Sequence, residues 1–220
     1  MAKQADYSEV LHAARLIADQ AAQTGILASR VSYRPVYNHI GAVVADAVLQ
    51  AGLNYSKVVK PRISSILETF PHATTVNVLV ELIKAEGSSQ FLQWKHNEKI
   101  SRFDSLVAFL DEAEIETTCD LREALQDYGF RAAIRLVRGV GPKTVDYMAC
   151  LVGVDSIAVD RHIRGFADSA GLENDSYEYL YDVFSFAADL LSVSRREFDA
   201  SIWHYQSGKS CHQLSIEFEY

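Results

Sequence analysis

The feature that most constrains this chain is the spacing of its apolar residues, which recur every three or four positions and nowhere keep a strong two-residue alternation. A 3.6-residue rhythm gathers apolar side chains on one face of a helix, whereas a half-buried strand needs a period of two. Residues 7–24 show it simply, through Val10, Leu11, Ala14, Ile17, Ala18 and Ala21. Pro35 opens a second segment running to Leu49 through Ile40, Val43, Val44, Ala47 and Val48. That run is apolar enough to sit centrally in a core, and Gly52 is its expected stop. Ser56–Phe70 returns to helical spacing until Pro71 ends it. Further helices are expected at 77–85, 90–94, 98–113, 121–128, 161–170, 176–192 and 195–206, with Asp120 and Glu123 as a capping box near the start of 121–128. The stretch 207–220 is left open between strand and frayed end. The expected fold is all-α.

At 220 residues, 49% apolar and 23% charged, the chain suits one domain or one compact two-lobed unit. No stretch approaches the roughly 18 apolar residues of a membrane span, and Asp6 and Glu9 interrupt the place of a secretion signal. The expectation is a cytoplasmic protein without membrane contact. Cys119, Cys150 and Cys211 are widely spaced and form no C-x-x-C pair, so neither a zinc ribbon nor a disulfide framework is indicated. The net charge of −8 argues against a protein that coats nucleic acid, though not against a local site with a few phosphate contacts.

The most informative stretch is Leu136-Val137-Arg138-Gly139-Val140-Gly141-Pro142-Lys143-Thr144. An apolar helical segment runs into Gly-Val-Gly, and Pro142 then suits the first position of a second helix, where its missing N–H would have had no partner. Glycines allow turns and close approaches that a side chain would block. The unpaired N–H groups of the new helix, with its dipole, make a phosphate site. Lys143 falls in that same first turn, where the dipole disfavours a cation. Three explanations stay open: a bound phosphate, a solvated lysine or i,i+3 partner of Asp146, and a nucleophile whose neutral form is favoured by positive potential. Asp160 follows 17 residues later, in Val159-Asp160-Arg161-His162, after the Gly153 break. It reads first as the N-cap of helix 161–170, a role compatible with that of a carboxylate stabilising positive charge on a sugar.

Gly139-Val140-Gly141-Pro142-Lys143-Thr144 together with Val159-Asp160-Arg161-His162 resembles the signature of the helix-hairpin-helix DNA glycosylase superfamily, which includes endonuclease III and the adenine and 8-oxoguanine glycosylases. The resemblance covers about residues 126–170 and, more loosely, 40–110. It implies a two-lobed helical fold, with lobes of about 33–152 (carrying the hairpin) and 1–32 plus 153–220. It further implies duplex DNA as partner, Gly139, Val140, Gly141 and Thr144 at a phosphate, and a monomer. Leu49-Gln50-Ala51 is similar to the family segment whose glutamine fills the gap left by an extruded base, which makes Gln50 a DNA-contacting candidate; it is also simply a polar residue at a helix end. Asn97-Glu98-Lys99 resembles the polar start of the family helix ahead of the hairpin. The four closely spaced cysteines of the iron–sulfur members are missing, so the resemblance is to a cluster-free form without redox or nucleotide cofactor. A monovalent cation at the hairpin carbonyls is a minor implication.

The implied chemistry is excision of a base rotated out of the stack. The Lys143 amine attacks the anomeric carbon, Asp160 stabilises the developing charge, and the resulting Schiff base permits β-elimination. Two alternatives remain: a monofunctional glycosylase in which Asp160 activates water, and a non-catalytic helix-hairpin-helix DNA-binding protein. Among other residues, Trp94 reads as core rather than stacking platform. Tyr33, Tyr37 and Tyr55 are candidates for lining a base pocket, and His162 either packs or touches phosphate.

Overall fold

The computed structural model describes residues 7–27 and 35–216, with side chains of the last helix through residue 208. These residues form α1 (Tyr7–Thr24), α2 (Ile40–Leu49), α3 (Lys60–Thr69), α4 (Val76–Glu86), α5 (Ser88–Phe91) and α6 (Asn97–Glu112). α7 (Thr118–Ala124), α8 (Tyr128–Ile134), α9 (Pro142–Leu151), α10 (Arg161–Ser169), α11 (Tyr177–Leu190) and α12 (Arg195–Ile216) follow. No strand occurs among the described residues, so the molecule is all-α there. Its internal contacts divide the chain into Pro35–Val154, holding α2 to α9, and a second unit of residues up to 34 and from 155 onward, holding α1 and α10 to α12.

The first of these is organised on α2, all ten residues of which are buried. A helix that is apolar on every side belongs inside a core, and α2 is met by α3, α4, α6 and α9. It begins five residues after Pro35 because the intervening backbone is used elsewhere. Tyr37 N–H donates to the Leu151 carbonyl at 3.0 Å, and His39 supplies the cap, its Nδ1 accepting from Ala42 N–H at 3.0 Å. The other ring nitrogen of His39 lies 2.7 Å from the Phe70 carbonyl, which fixes that nitrogen as the protonated one.

The helix expected over Ser56–Phe70 is a π-helical turn, Tyr55–Val59, followed by α3. Pro61 has no N–H for the α-helical bond to Lys57, and the ladder shifts by one residue around it. The capping box stands three residues earlier than expected. Thr117 Oγ1 accepts from Asp120 N–H while an Asp120 carboxylate oxygen accepts from Thr117 N–H at 2.7 Å. The Thr117 bond holds the Asp120 carboxyl below the usual carboxylate range. Asp127 then caps α8 separately, so the expected helix 121–128 is the end of one helix and the start of another.

In the other unit α1 lies along α11, and α10 packs on α12. Ala14 and Ala21 on α1 and Ala187 and Ala188 on α11 are wholly buried, small enough to let two backbones approach. Phe166, Phe184 and Phe198 fill the space beside them. The extended segment ahead of α10 is held by α12: Asp199, buried, accepts from Ala158 N–H at 3.3 Å, and Asp155 accepts from Arg196 N–H at 3.1 Å. The stretch left open after residue 206 continues as helix to Ile216; residues 217–220 lie outside the described residues.

Candidate functional site

α8 ends at Ile134 and the chain turns through 135–140 before α9. Leu136 N–H donates to Ala133, Val137 N–H to Ile134 and Val140 N–H to Val137. Gly139 has φ +82°, and a Cβ there would overlap the guanidinium of Arg102, which reaches it from α6. Gly141 is different. Its φ of −100° suits any residue and a Cβ would meet nothing within 4 Å. The fold demands the first glycine but not the second. Gly141 is the N-cap of α9, Pro142 its first residue, and no side chain caps the helix. The Val140 and Thr144 side chains are buried, and their backbone N–H groups donate to the carbonyls of Val137 and Gly141, each at 3.0 Å.

Lys143, the second residue of α9, is half-buried, and its Nζ donates to Gln50 Oε1 at 3.0 Å. Asp146, considered above as its partner, is buried and takes the Arg131 guanidinium, tying α8 to α9. Gln50 is the C-cap of α2. Beside it Lys99 Nζ donates to the carbonyls of Val48 and Ala51, each at 2.8 Å, and lies 3.4 Å from that of Leu49. These are the carbonyls that the end of a helix leaves without partners. Burial, followed by the charge of Arg102 and in smaller part that of Lys143, pushes the Lys99 amine down to about 8, against an opposing pull from Glu98. Two amines and an amide thus share the C-terminal end of α2.

One turn back along α2, Asp46 is completely buried in an otherwise apolar run. Its Oδ1 accepts from Tyr147 OH at 3.0 Å, and its Oδ2 from Tyr37 OH at 3.1 Å and Tyr55 OH at 3.2 Å. A buried carboxylate without partners would cost several kcal/mol, and three phenol donors offset that cost. Burial and the neighbouring carboxylate push the Tyr55 phenol up to about 12 and raise Tyr37 further, so both phenols keep their protons and donate. The hydroxyls of Tyr37 and Tyr55 are therefore turned onto Asp46 rather than left for a base. Tyr33 lies outside the described residues.

Asp160 is the N-cap of α10, its Oδ1 accepting from His162 N–H at 2.8 Å and Ile163 N–H at 3.1 Å. The capping role read from the sequence is present; Lys143 belongs to one unit of the chain and Asp160 to the other. His162 packs edge-on to Trp203, with ring centroids 6.0 Å apart. The face of Trp94 is covered by Arg62, 5.0 Å from the ring centroid.

Several residues of this site were not singled out from the sequence: Asp46, Tyr147, Lys99, Arg102, Arg135 and Arg138. Two signals pointed to some of them. Asp46 is the one charge in the apolar run 40–49, and residues 128–145 carry Arg131, Arg135, Arg138 and Lys143 without any Asp or Glu, in a chain holding 29 acidic residues. Arg135 and Arg138 are exposed.

The chain belongs to a family described as a domain of unknown function, DUF8548, whose model matches residues 14–207. No curated protein matches it, and no solved structure matches it. Among the described residues no helix is long and apolar enough to cross a membrane.

Proposed function

We propose that this chain is a DNA glycosylase with strand-nicking lyase activity, acting on a base rotated out of duplex DNA. The observation that carries the reading is the setting of Lys143: in the first turn of a helix without a side-chain cap, two residues after a glycine whose side-chain position is empty of protein. Gly141 leaves room for a phosphate to approach the start of α9 and the positive end of its dipole, and the acid-free stretch 128–145, with exposed Arg135 and Arg138, supplies the charge that such an approach needs. The resemblance of Gly139–Thr144 and Val159–His162 to helix-hairpin-helix glycosylases supports the same reading.

In this reading the neutral amine of Lys143 forms a bond to the anomeric carbon as the N-glycosidic bond breaks, and the base leaves with the bonding pair and takes up a proton. Ring opening gives a protonated imine between Nζ and the sugar. That imine acidifies the adjacent sugar C–H, and its loss as a proton expels the 3′ phosphate. The carboxylate of Asp160, already oriented by two amide N–H groups, stabilises the cationic sugar. The hairpin carbonyls that would hold a monovalent cation include that of Val137, which keeps a lone pair beyond its bond from Val140 N–H; no step runs through such an ion.

A second reading has its own observation. Capping α10 fully accounts for Asp160 as a structural residue, so a non-catalytic duplex-binding protein needs no more of it, whereas a monofunctional glycosylase uses the same carboxylate to activate water. Borohydride trapping on duplexes that each hold one modified base separates the three. A covalent adduct lost in Lys143→Gln is expected. Base release without any adduct means water is the nucleophile, and binding alone, unchanged by Asp160→Asn, means there is no catalysis.

A further inference from the structure

We infer that Asp46 and Tyr147 are positioning residues for Lys143, fixing where α9 stands along α2 and so where its amine lies. The contacts between these helices form two rungs. Asp46 meets Tyr147, and Gln50 meets Lys143. On α2 the two positions are four residues apart in ascending order and on α9 four apart in descending order, so the helices run antiparallel, with one face of each used twice. The rungs are about 6 Å apart along the axes.

What makes the lower rung a positioning device is the surface around it. The rest of α2 is Ile, Gly, Ala, Val and Leu, and apolar contact is non-directional, which leaves the sliding of α9 past α2 weakly specified. A carboxylate that accepts one phenol from α9 at Oδ1, while two phenols from Tyr37 and Tyr55 hold Oδ2, is directional at both ends. Such buried polar contacts are best attested as devices that set register. The consequence for catalysis rests on the glycosylase reading above; the consequence for where the amine lies does not.

Tyr147→Phe is the smallest test, since it removes one hydroxyl and leaves Tyr37 and Tyr55 on Asp46. Two readouts are expected to move in opposite directions. The rate of the borohydride-trapped adduct falls about tenfold at unchanged duplex affinity, the scale expected when a reacting group is misplaced by a fraction of an ångström. Acylation of Lys143 by trace acetic anhydride, read by mass spectrometry against exposed Lys57 and Lys84, rises because the amine is released from Gln50. Leu79→Ala is the control, a cavity in α4 that removes no polar contact between α2 and α9. If Tyr147→Phe leaves both readouts at wild-type values, or if Leu79→Ala produces the same opposed pair, the inference is overturned. If no duplex gives an adduct with wild type but Lys143 acylation still rises in Tyr147→Phe, the glycosylase reading fails and the positioning role stands.

Discussion

Lys99 shows how much the chemistry of one residue depends on what surrounds it. Its amine is desolvated, bonded to carbonyls at the end of α2 and close enough to Lys143 for the two charges to repel. The repulsion is mutual, and it is felt more strongly in a partly buried site than in water. An amine with an ordinary value of 10.5 and a folded value of about 8 is protonated in the unfolded chain and neutral in the folded one between those values. The unfolded state then binds more protons, so folded stability rises with pH through that window. Urea midpoints measured from neutral to alkaline pH should therefore rise for wild type relative to Lys99→Met, and parallel curves would refute the assignment. The same substitution removes a cation beside the proposed nucleophile. It is expected to slow adduct formation about tenfold at neutral pH, the factor that about 1.4 kcal/mol of lost charge repulsion brings, and to move the pH–rate profile to higher pH.

At the scale of the element, Gly139 and Gly141, on either side of Val140, make a matched pair. Ala at Gly139 must adopt φ +82° and displace the Arg102 guanidinium. The backbone strain alone costs about 1–2 kcal/mol, and a lowered urea midpoint with weakened duplex binding is expected. Ala at Gly141 meets no protein atom and needs no unusual backbone. Its stability should match wild type while duplex binding falls, because the methyl group occupies the space a phosphate would use. Equal stability and equal binding at Gly141→Ala would remove this turn from the proposed interface. The helices themselves were largely legible, since caps and apolar stripes are short-range. The boundaries that moved, at Pro61, His39 and Thr117, moved where a backbone or side-chain bond competed with the hydrophobic rhythm: the ladder shift at Pro61, the His39 cap on Ala42 and the reciprocal Thr117–Asp120 bonds.

For the whole molecule, a net charge of −8 means that any affinity for DNA is local. Arg131 is committed to Asp146, which leaves Arg135 and Arg138 as the exposed cations of the acid-free stretch. Each phosphate neutralised contributes close to one unit to the slope of log affinity against log salt. Replacing both arginines with alanine should flatten the slope by about 2, measured by fluorescence anisotropy over a salt series; an unchanged slope would place the duplex on another face. The sequence by itself determined what neighbouring residues settle among themselves: the helices, the break at Gly153, the cap at Asp160 and the glycine turn ahead of Lys143. It contained Asp46, Lys99 and three tyrosines without saying that they belong together. Gln50 and Lys143 are 93 positions apart, and Asp46 and Tyr147 are 101 apart. Only tertiary structure brings such pairs within 3 Å, because hydrogen bonds between distant segments follow from how α2 and α9 pack, and apolar periodicity records which face of each helix is buried but not which residue of another helix it will meet.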